Sequence, residues 1–144
     1  MVSSCLSENY FQDGDEVLVS ALEHHANLVP WHLVSKKIKI ISGNINKDGE
    51  LDYADLIEKI NSKTKLVAIT HMSNVTGSIT NIEKITKKTK SCNIPLLIDG
   101  CQYVPHKKLN IKDLDPDFYV FSAHKLYGPT GLGILYMKDY WIDK

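Results

Sequence analysis

Four short polar stretches contain the side chains best able to do chemistry. They are Glu23-His24-His25-Ala26-Asn27, Thr70-His71-Met72-Ser73-Asn74-Val75-Thr76-Gly77, Asp99-Gly100-Cys101-Gln102 and Ser122-Ala123-His124-Lys125-Leu126-Tyr127-Gly128-Pro129-Thr130-Gly131-Leu132-Gly133. Lys125 offers a primary amine, and such an amine forms a Schiff base with a carbonyl compound wherever an apolar setting or a neighbouring cation favours its neutral form. Asp99 directly follows the aliphatic run Leu96-Leu97-Ile98, so its carboxylate sits at the rim of the core, where it needs a cation or hydrogen-bond donors. His24 supplies imidazole, the side chain suited to moving protons at neutral pH. Each is weak by itself: an aspartate at the end of an apolar run is ordinarily a helix cap or an ion-pair partner, and a lone lysine is ordinarily a surface charge.

The elements that must position these groups are legible around them. Val17-Leu18-Val19, Leu66-Val67-Ala68-Ile69, Leu96-Leu97-Ile98 and Phe118-Tyr119-Val120-Phe121 precede the polar stretches. With Ile38-Lys39-Ile40-Ile41 and Gly133-Ile134-Leu135-Tyr136-Met137, they are the short branched or aromatic runs expected of strands buried on both faces. Tyr53, Leu56, Ile57 and Ile60 share one helical face behind a cap at Asp52. Thr80 followed by Glu83 has capping-box spacing and predicts a helix start just before Ile82 and Ile85; another helix is expected near Pro30. Strands alternating with helices predict a mainly parallel α/β sheet with flanking helices. In such sheets ligands sit at the carboxyl ends of strands, so the four polar stretches are expected to open on one cleft.

Taken together, a Schiff-base lysine and an aspartate able to pair with a pyridinium nitrogen are the protein's side of pyridoxal-phosphate chemistry. A metal site from His24, His25 and His71 lacks acidic or thiolate partners at convergent spacing and is the weaker reading. The glycines after Lys125 do not follow a strand in the Gly-x-Gly-x-x-Gly order, so no dinucleotide loop is expected. His25, His71 and His106 read as structural polar groups, and His32 as exposed. Lys84, Lys87, Lys88 and Lys90 read as the solvated face of the helix that buries Ile82 and Ile85.

The chain of 144 residues is 43% hydrophobic and 24% charged, the profile of one ordinary globular domain. Seventeen basic residues balance seventeen acidic ones, which removes the positive field that nucleic-acid binding needs. No apolar run approaches the ~20 residues of a membrane span, and the start lacks a signal-peptide pattern, so an intracellular soluble chain is expected. Cys5, Cys92 and Cys101 are odd in number and have no Cys-x-x-Cys spacing, which predicts free thiols rather than disulfides or a zinc knuckle.

In the order they occur, from about Gly14 to Met137, these motifs resemble the cysteine desulfurases of the class V aminotransferase group of pyridoxal-phosphate enzymes. The paired histidines before Ala26-Asn27 and the Asp117-Phe118-Tyr119-Val120-Phe121-Ser122 approach to the lysine are most similar to Suf-type (group II) desulfurases and their selenocysteine-lyase relatives. The resemblance implies a fold-type I large domain, with residues 1–144 its central part and the fold incomplete at both ends. It implies pyridoxal 5'-phosphate as cofactor, joined to Lys125 as a Schiff base, with Asp99 on the ring nitrogen and Gln102 on the phenolic oxygen. Ser122 and His124 would hold the phosphate, His24 would stack on the ring and carry protons, and Asn74 would lie beside the ring and the substrate carboxylate.

The implied reaction converts L-cysteine to L-alanine and passes sulfur to a cysteine thiolate, for iron-sulfur cluster assembly through a sulfur-acceptor protein. The implied enzyme is a homodimer in the cytoplasm, or in an organelle had a targeting segment been lost. Relatives carry a phosphate loop upstream, and an acceptor cysteine and a carboxylate-binding arginine far downstream, for which this chain shows no counterpart. Cys101 stands where relatives have a small residue, and arginine is absent altogether. Two other readings stay open: a selenocysteine lyase or other class V lyase, and a non-catalytic remnant or dimerisation module.

Overall fold

The computed structural model describes residues 1–34 and 36–142. Six strands form one sheet: β1 (Asp15–Ser20), β2 (Ile38–Gly43), β3 (Thr64–Thr70), β4 (Leu96–Asp99), β5 (Phe118–Ser122) and β6 (Gly133–Met137), in the order β2-β1-β3-β4-β5-β6. All neighbours pair parallel except β5 and β6, which run antiparallel. Helices α1 (Val2–Asn9), α2 (Val29–Leu33), α3 (Tyr53–Glu58), α4 (Ile82–Ser91) and α5 (Ile111–Leu114) flank it. This is the mainly parallel α/β sheet that the alternating pattern predicts.

Side chains on a strand alternate between faces, so the central strands feed two cores. Leu18, Val67, Ile69, Leu96, Ile98 and Tyr119 pack with Leu56 of α3 and Ile82 and Ile85 of α4 on one face. Val17, Val19, Leu66, Ala68, Leu97 and Phe118 pack with Leu6, Phe11, Trp31 and Trp141 on the other. Burial on both faces therefore holds for β3 and β4 and for most of β1, while the edge strands β2 and β6 are only partly covered.

Helix α3 starts as predicted, with the Asp52 carboxylate accepting from the Ala54 and Asp55 amides. Helix α2 has Pro30 in its first turn and leaves His32 exposed. The start of α4 differs from the capping-box reading. Asn81 is the cap and accepts from the Lys84 amide, while Thr80 is buried and donates its hydroxyl to the Thr70 carbonyl at 2.7 Å. A buried hydroxyl takes the carbonyl at hand, which ties the β3–α4 loop to β3, and Glu83 is freed to pair with Lys87 at 2.8 Å. Lys84, Lys87 and Lys90 lie on the exposed face of α4, where Lys90 pairs with Asp115. No helix among the described residues is long and apolar enough to cross a membrane.

Candidate functional site

Strands β1, β3, β4 and β5 end side by side, and the loops leaving them enclose a cavity of about 260 Å³. It is lined by His24, Ala26, Thr70, Met72, Asn74, Asp99, Cys101, Gln102, Ser122, His124 and Lys125. All seven residues singled out from the sequence, His24, Asn74, Asp99, Gln102, Ser122, His124 and Lys125, thus border one space.

Asp99 ends β4 and is 4% exposed. Its Oδ1 accepts the Cys101 amide at 2.9 Å, and among the described residues no cation pairs with it. A buried carboxylate with one amide donor and no protein cation is a place where a cationic partner in the cavity would be held. Its backbone is fixed on both sides, since the Asp99 carbonyl accepts from His71 N–H and the next amide, Gly100 N–H, donates to Val120, both at 2.8 Å. Gly100 cannot be larger: a Cβ there would fall 2.1 Å from Cε1 of Tyr119.

Lys125 sits on the single 3-10 turn Ala123–Leu126 that follows β5. The turn is closed by Tyr127 in the left-handed region, φ 59°, and by the Gly128 amide donating to the Ala123 carbonyl at 2.9 Å. Asn74 is carried by the loop 73–78, which folds back through Ser73 N–H to Ser78 O at 3.0 Å. His24 caps the 3-10 turn His25–Asn27, its Nδ1 accepting the Ala26 amide at 3.1 Å. An Nδ1 that accepts is unprotonated, so the neutral ring carries its proton on Nε2.

Cys101, which belongs to the cavity wall, has its Sγ 3.7 Å from Ser122 Oγ. Burial, and then the Asp99 charge, push its thiol up from the ordinary value, which makes it a neutral wall group rather than a nucleophile. Of the histidines read as structural, His71 is: it is buried, stacked on Tyr103, and its Nδ1 lies 2.9 Å from the Tyr119 hydroxyl. His25 and His106 are instead exposed, because the turns that carry them face outward. The cysteines are free thiols, and among the described residues no three His, Cys, Asp or Glu side chains converge as a metal site would need.

Sequence reasoning named Glu23 in the first polar stretch but gave it no role. Its carboxyl takes hydrogen bonds from Ser20 Oγ, from Thr70 N–H at 2.8 Å and from Asn27 Nδ2 at 2.6 Å. Burial pushes it up to about 7 despite those donors, with Asp99 adding to the rise. Nothing local announces this role, since Thr70 is 47 residues away in the chain.

The whole chain, residues 1–144, matches the family described as Aminotransferase class-V. Among curated proteins it is similar to a cysteine desulfurase of Serratia proteamaculans, 41% identical over 96% of this chain and 35% of that protein. Among solved structures it superposes on the cysteine desulfurase CsdA of Escherichia coli with a TM-score of 0.91 and 40% identity, covering 96% of this chain and 35% of that one. A cysteine desulfurase of Thermococcus onnurineus NA1 gives 0.90 and 34%, covering 99% and 36%. The chain therefore spans about a third of the length of the relatives it matches. With its mainly parallel sheet, its strand-end cavity and a family match over its full length, this chain belongs to the aminotransferase class-V family.

Proposed function

We propose that residues 1–144 are the central part of the large domain of a pyridoxal-phosphate-dependent cysteine desulfurase of the Suf type. The enzyme would be a cytoplasmic homodimer that releases L-alanine from L-cysteine and hands the sulfur to an acceptor protein for iron-sulfur cluster assembly. One observation carries the reading: Lys125 and a buried Asp99 that pairs with no cation among the described residues border the same cavity, together with the donors Gln102, Ser122 and His124. The likeness to cysteine desulfurases at about 40% identity supports the choice of reaction within the family.

The residues fit the cofactor. A cationic ring nitrogen answers the missing partner of Asp99, a phosphate answers the hydroxyl of Ser122 and the imidazole of His124, and an aldehyde answers the Lys125 amine. Pyridoxal phosphate, when bound, supplies the electron sink that lets a bond near the substrate's amine-bearing carbon break. The chain's own residues do the rest. Asp99 would hold the cofactor at its ring nitrogen by charge, and Gln102 would hold it at its phenolic oxygen. His24 would cover the ring, and its Nε2–H would be available as a hydrogen-bond donor to the substrate while Nδ1 stays engaged with the Ala26 amide. Asn74, on the 73–78 loop, orients the substrate carboxylate. Cys101 narrows the wall beside Asp99 without taking part as a nucleophile.

The test is to add pyridoxal phosphate to the purified chain, record the visible absorbance band, reduce with borohydride and locate the adduct by peptide mass spectrometry. A band and an adduct on Lys125, both lost in Lys125→Ala, are expected. An adduct spread over surface lysines, with no band, would overturn the reading. Alanine release from L-cysteine compared with L-selenocysteine, measured on the full-length enzyme, decides the substrate.

A further inference from the structure

His24 is exposed, and its ring is held to the protein by one bond, the Ala26 amide donating to Nδ1. A single exposed hydrogen bond contributes little by itself, so whatever keeps His24 at the cavity must act on the turn that carries it. The turn is gripped by the neighbouring side chain. Glu23 reaches back to Ser20 at the end of β1, forward to Asn27 at the end of the 3-10 turn, and across to the amide of Thr70, the last residue of β3. Ser20, Asn27 and Thr70 are each 5% exposed or less, so the clamp lies in the interior while His24 lies outside it. Thr70 is in turn the parallel partner of Asp99. One carboxyl therefore links both ends of the His24 turn to the strand beside Asp99.

We propose that Glu23 is a positioning residue of this site: by joining Ser20, Asn27 and Thr70 it fixes the turn in the one conformation in which His24 Nδ1 receives the Ala26 amide and Nε2 keeps the proton. The inference rests on the proposed function only for what the Nε2 proton is used for; the clamp and the tautomer stand without it. It is a clamp of shape more than of charge. A carboxyl that burial pushes up toward neutrality is well mimicked by a carboxamide, whose oxygen accepts from Ser20 and Thr70 while its NH₂ meets the side-chain oxygen of a flipped Asn27. An aspartate keeps the charge, but one methylene less takes it out of reach of Thr70.

Two readouts decide it. The first uses the purified 144-residue chain without cofactor and records long-range ¹H–¹⁵N correlations of the His24 ring. Wild type and Glu23→Gln should show the Nε2–H tautomer, whereas Glu23→Ala and Glu23→Asp should show mixed tautomers with a loss of the single-form signature. The second uses the full-length enzyme. There Glu23→Ala should lower kcat by roughly tenfold, the scale of a lost hydrogen bond, with KM little changed, and Glu23→Gln should restore it. Should Glu23→Ala not fold, Asn27→Ala removes one of the three donors and should shift the His24 signature the same way. A pure Nε2–H tautomer in a folded Glu23→Ala or Asn27→Ala chain overturns the proposal, as does a Glu23→Asp chain that matches wild type while Glu23→Gln does not. Failure of cofactor to bind Lys125 would sink the proposed function and leave the NMR result to judge the clamp by itself.

Discussion

The Tyr119 hydroxyl lies 2.9 Å from Nδ1 of His71, and both side chains are buried behind the turn that carries Asp99. The imidazole is also stacked on Tyr103, with ring centroids 3.5 Å apart and 5° between planes. Tyr119 and Tyr103 thus cover His71 on two sides, and a second layer of three rings backs the cavity wall. Such a layer fixes the rotamers of the residues in front of it and leaves the chemistry to them.

That pair sets a pH dependence. Burial holds His71 down at about 4, against an ordinary 6.5, so between those values the folded chain binds fewer protons than the unfolded one. The contribution is complete above pH 6.5 and fades as pH falls through the window, by up to about 3 kcal/mol. Glu23 works the other way: its folded value is raised, so its contribution is complete below about pH 4.5 and fades as pH rises toward 7. The two slopes partly offset each other in the wild type. Denaturant unfolding of Glu23→Gln between pH 4 and 7 should therefore show stability rising with pH, and adding His71→Gln should flatten the curve. A Glu23→Gln curve that is already flat would contradict this account of His71.

Gly100→Ala should destabilise the chain by about 1–3 kcal/mol, the range for forcing an extra carbon into a packed interior. The new Cβ would meet Tyr119 at 2.1 Å, and Tyr119 is 1% exposed and held by His71, so the ring has nowhere to go. The same shift would move the Asp99–Gln102 turn and weaken cofactor capture. Urea midpoints and cofactor titration of the two proteins check both parts.

Asp99→Asn should change stability and chemistry in opposite directions. In the chain without cofactor the variant keeps an oxygen for the Cys101 amide and removes a buried carboxylate that pairs with no cation among the described residues, so the fold should gain about 1 kcal/mol. In the full-length enzyme, the lost charge opposite the ring nitrogen should slow turnover by at least ~100-fold while the cofactor still binds. Thermal unfolding of the chain and steady-state kinetics of the enzyme are the measurements, and equal turnover would refute the role given to Asp99.

The 144-residue chain should capture pyridoxal phosphate on Lys125 without sustaining turnover. It has no arginine to orient a substrate carboxylate, and the one cysteine at the cavity, Cys101, is held in its neutral form. Orientation and proximity account for ~7–11 kcal/mol of a barrier, so partial positioning leaves little rate. Alanine formed from L-cysteine in the presence of a reductant should not exceed that of Lys125→Ala; sustained release above it would show that the chain is self-sufficient.

Local signals in the sequence were enough for the six strands and for helices α2, α3 and α4, but not for α1 or α5. Branched runs of strand length, the Asp52 cap and the 3.6-residue face of Tyr53, Leu56, Ile57 and Ile60 depend only on neighbours along the chain, so these elements could be read directly. The four stretches that line the cavity were legible because each follows an apolar run, and strands of a parallel sheet end on the same side; the choice of seven residues within them came from the family resemblance. What tertiary structure alone decided is what depends on pairing between distant segments. Placing β3 between β1 and β4 brings Thr70 to Glu23 on one side and to Asp99 on the other. Periodicity carries no information about which strands become neighbours, so the clamp was invisible. Thr80 gave its hydroxyl to the Thr70 carbonyl and left the cap to Asn81, because a buried donor is satisfied by whichever acceptor the fold brings within reach. His71, His25 and His106 have the same side chain and opposite fates for a similar reason: burial depends on which face of which turn meets the core, and only the folded chain sets that.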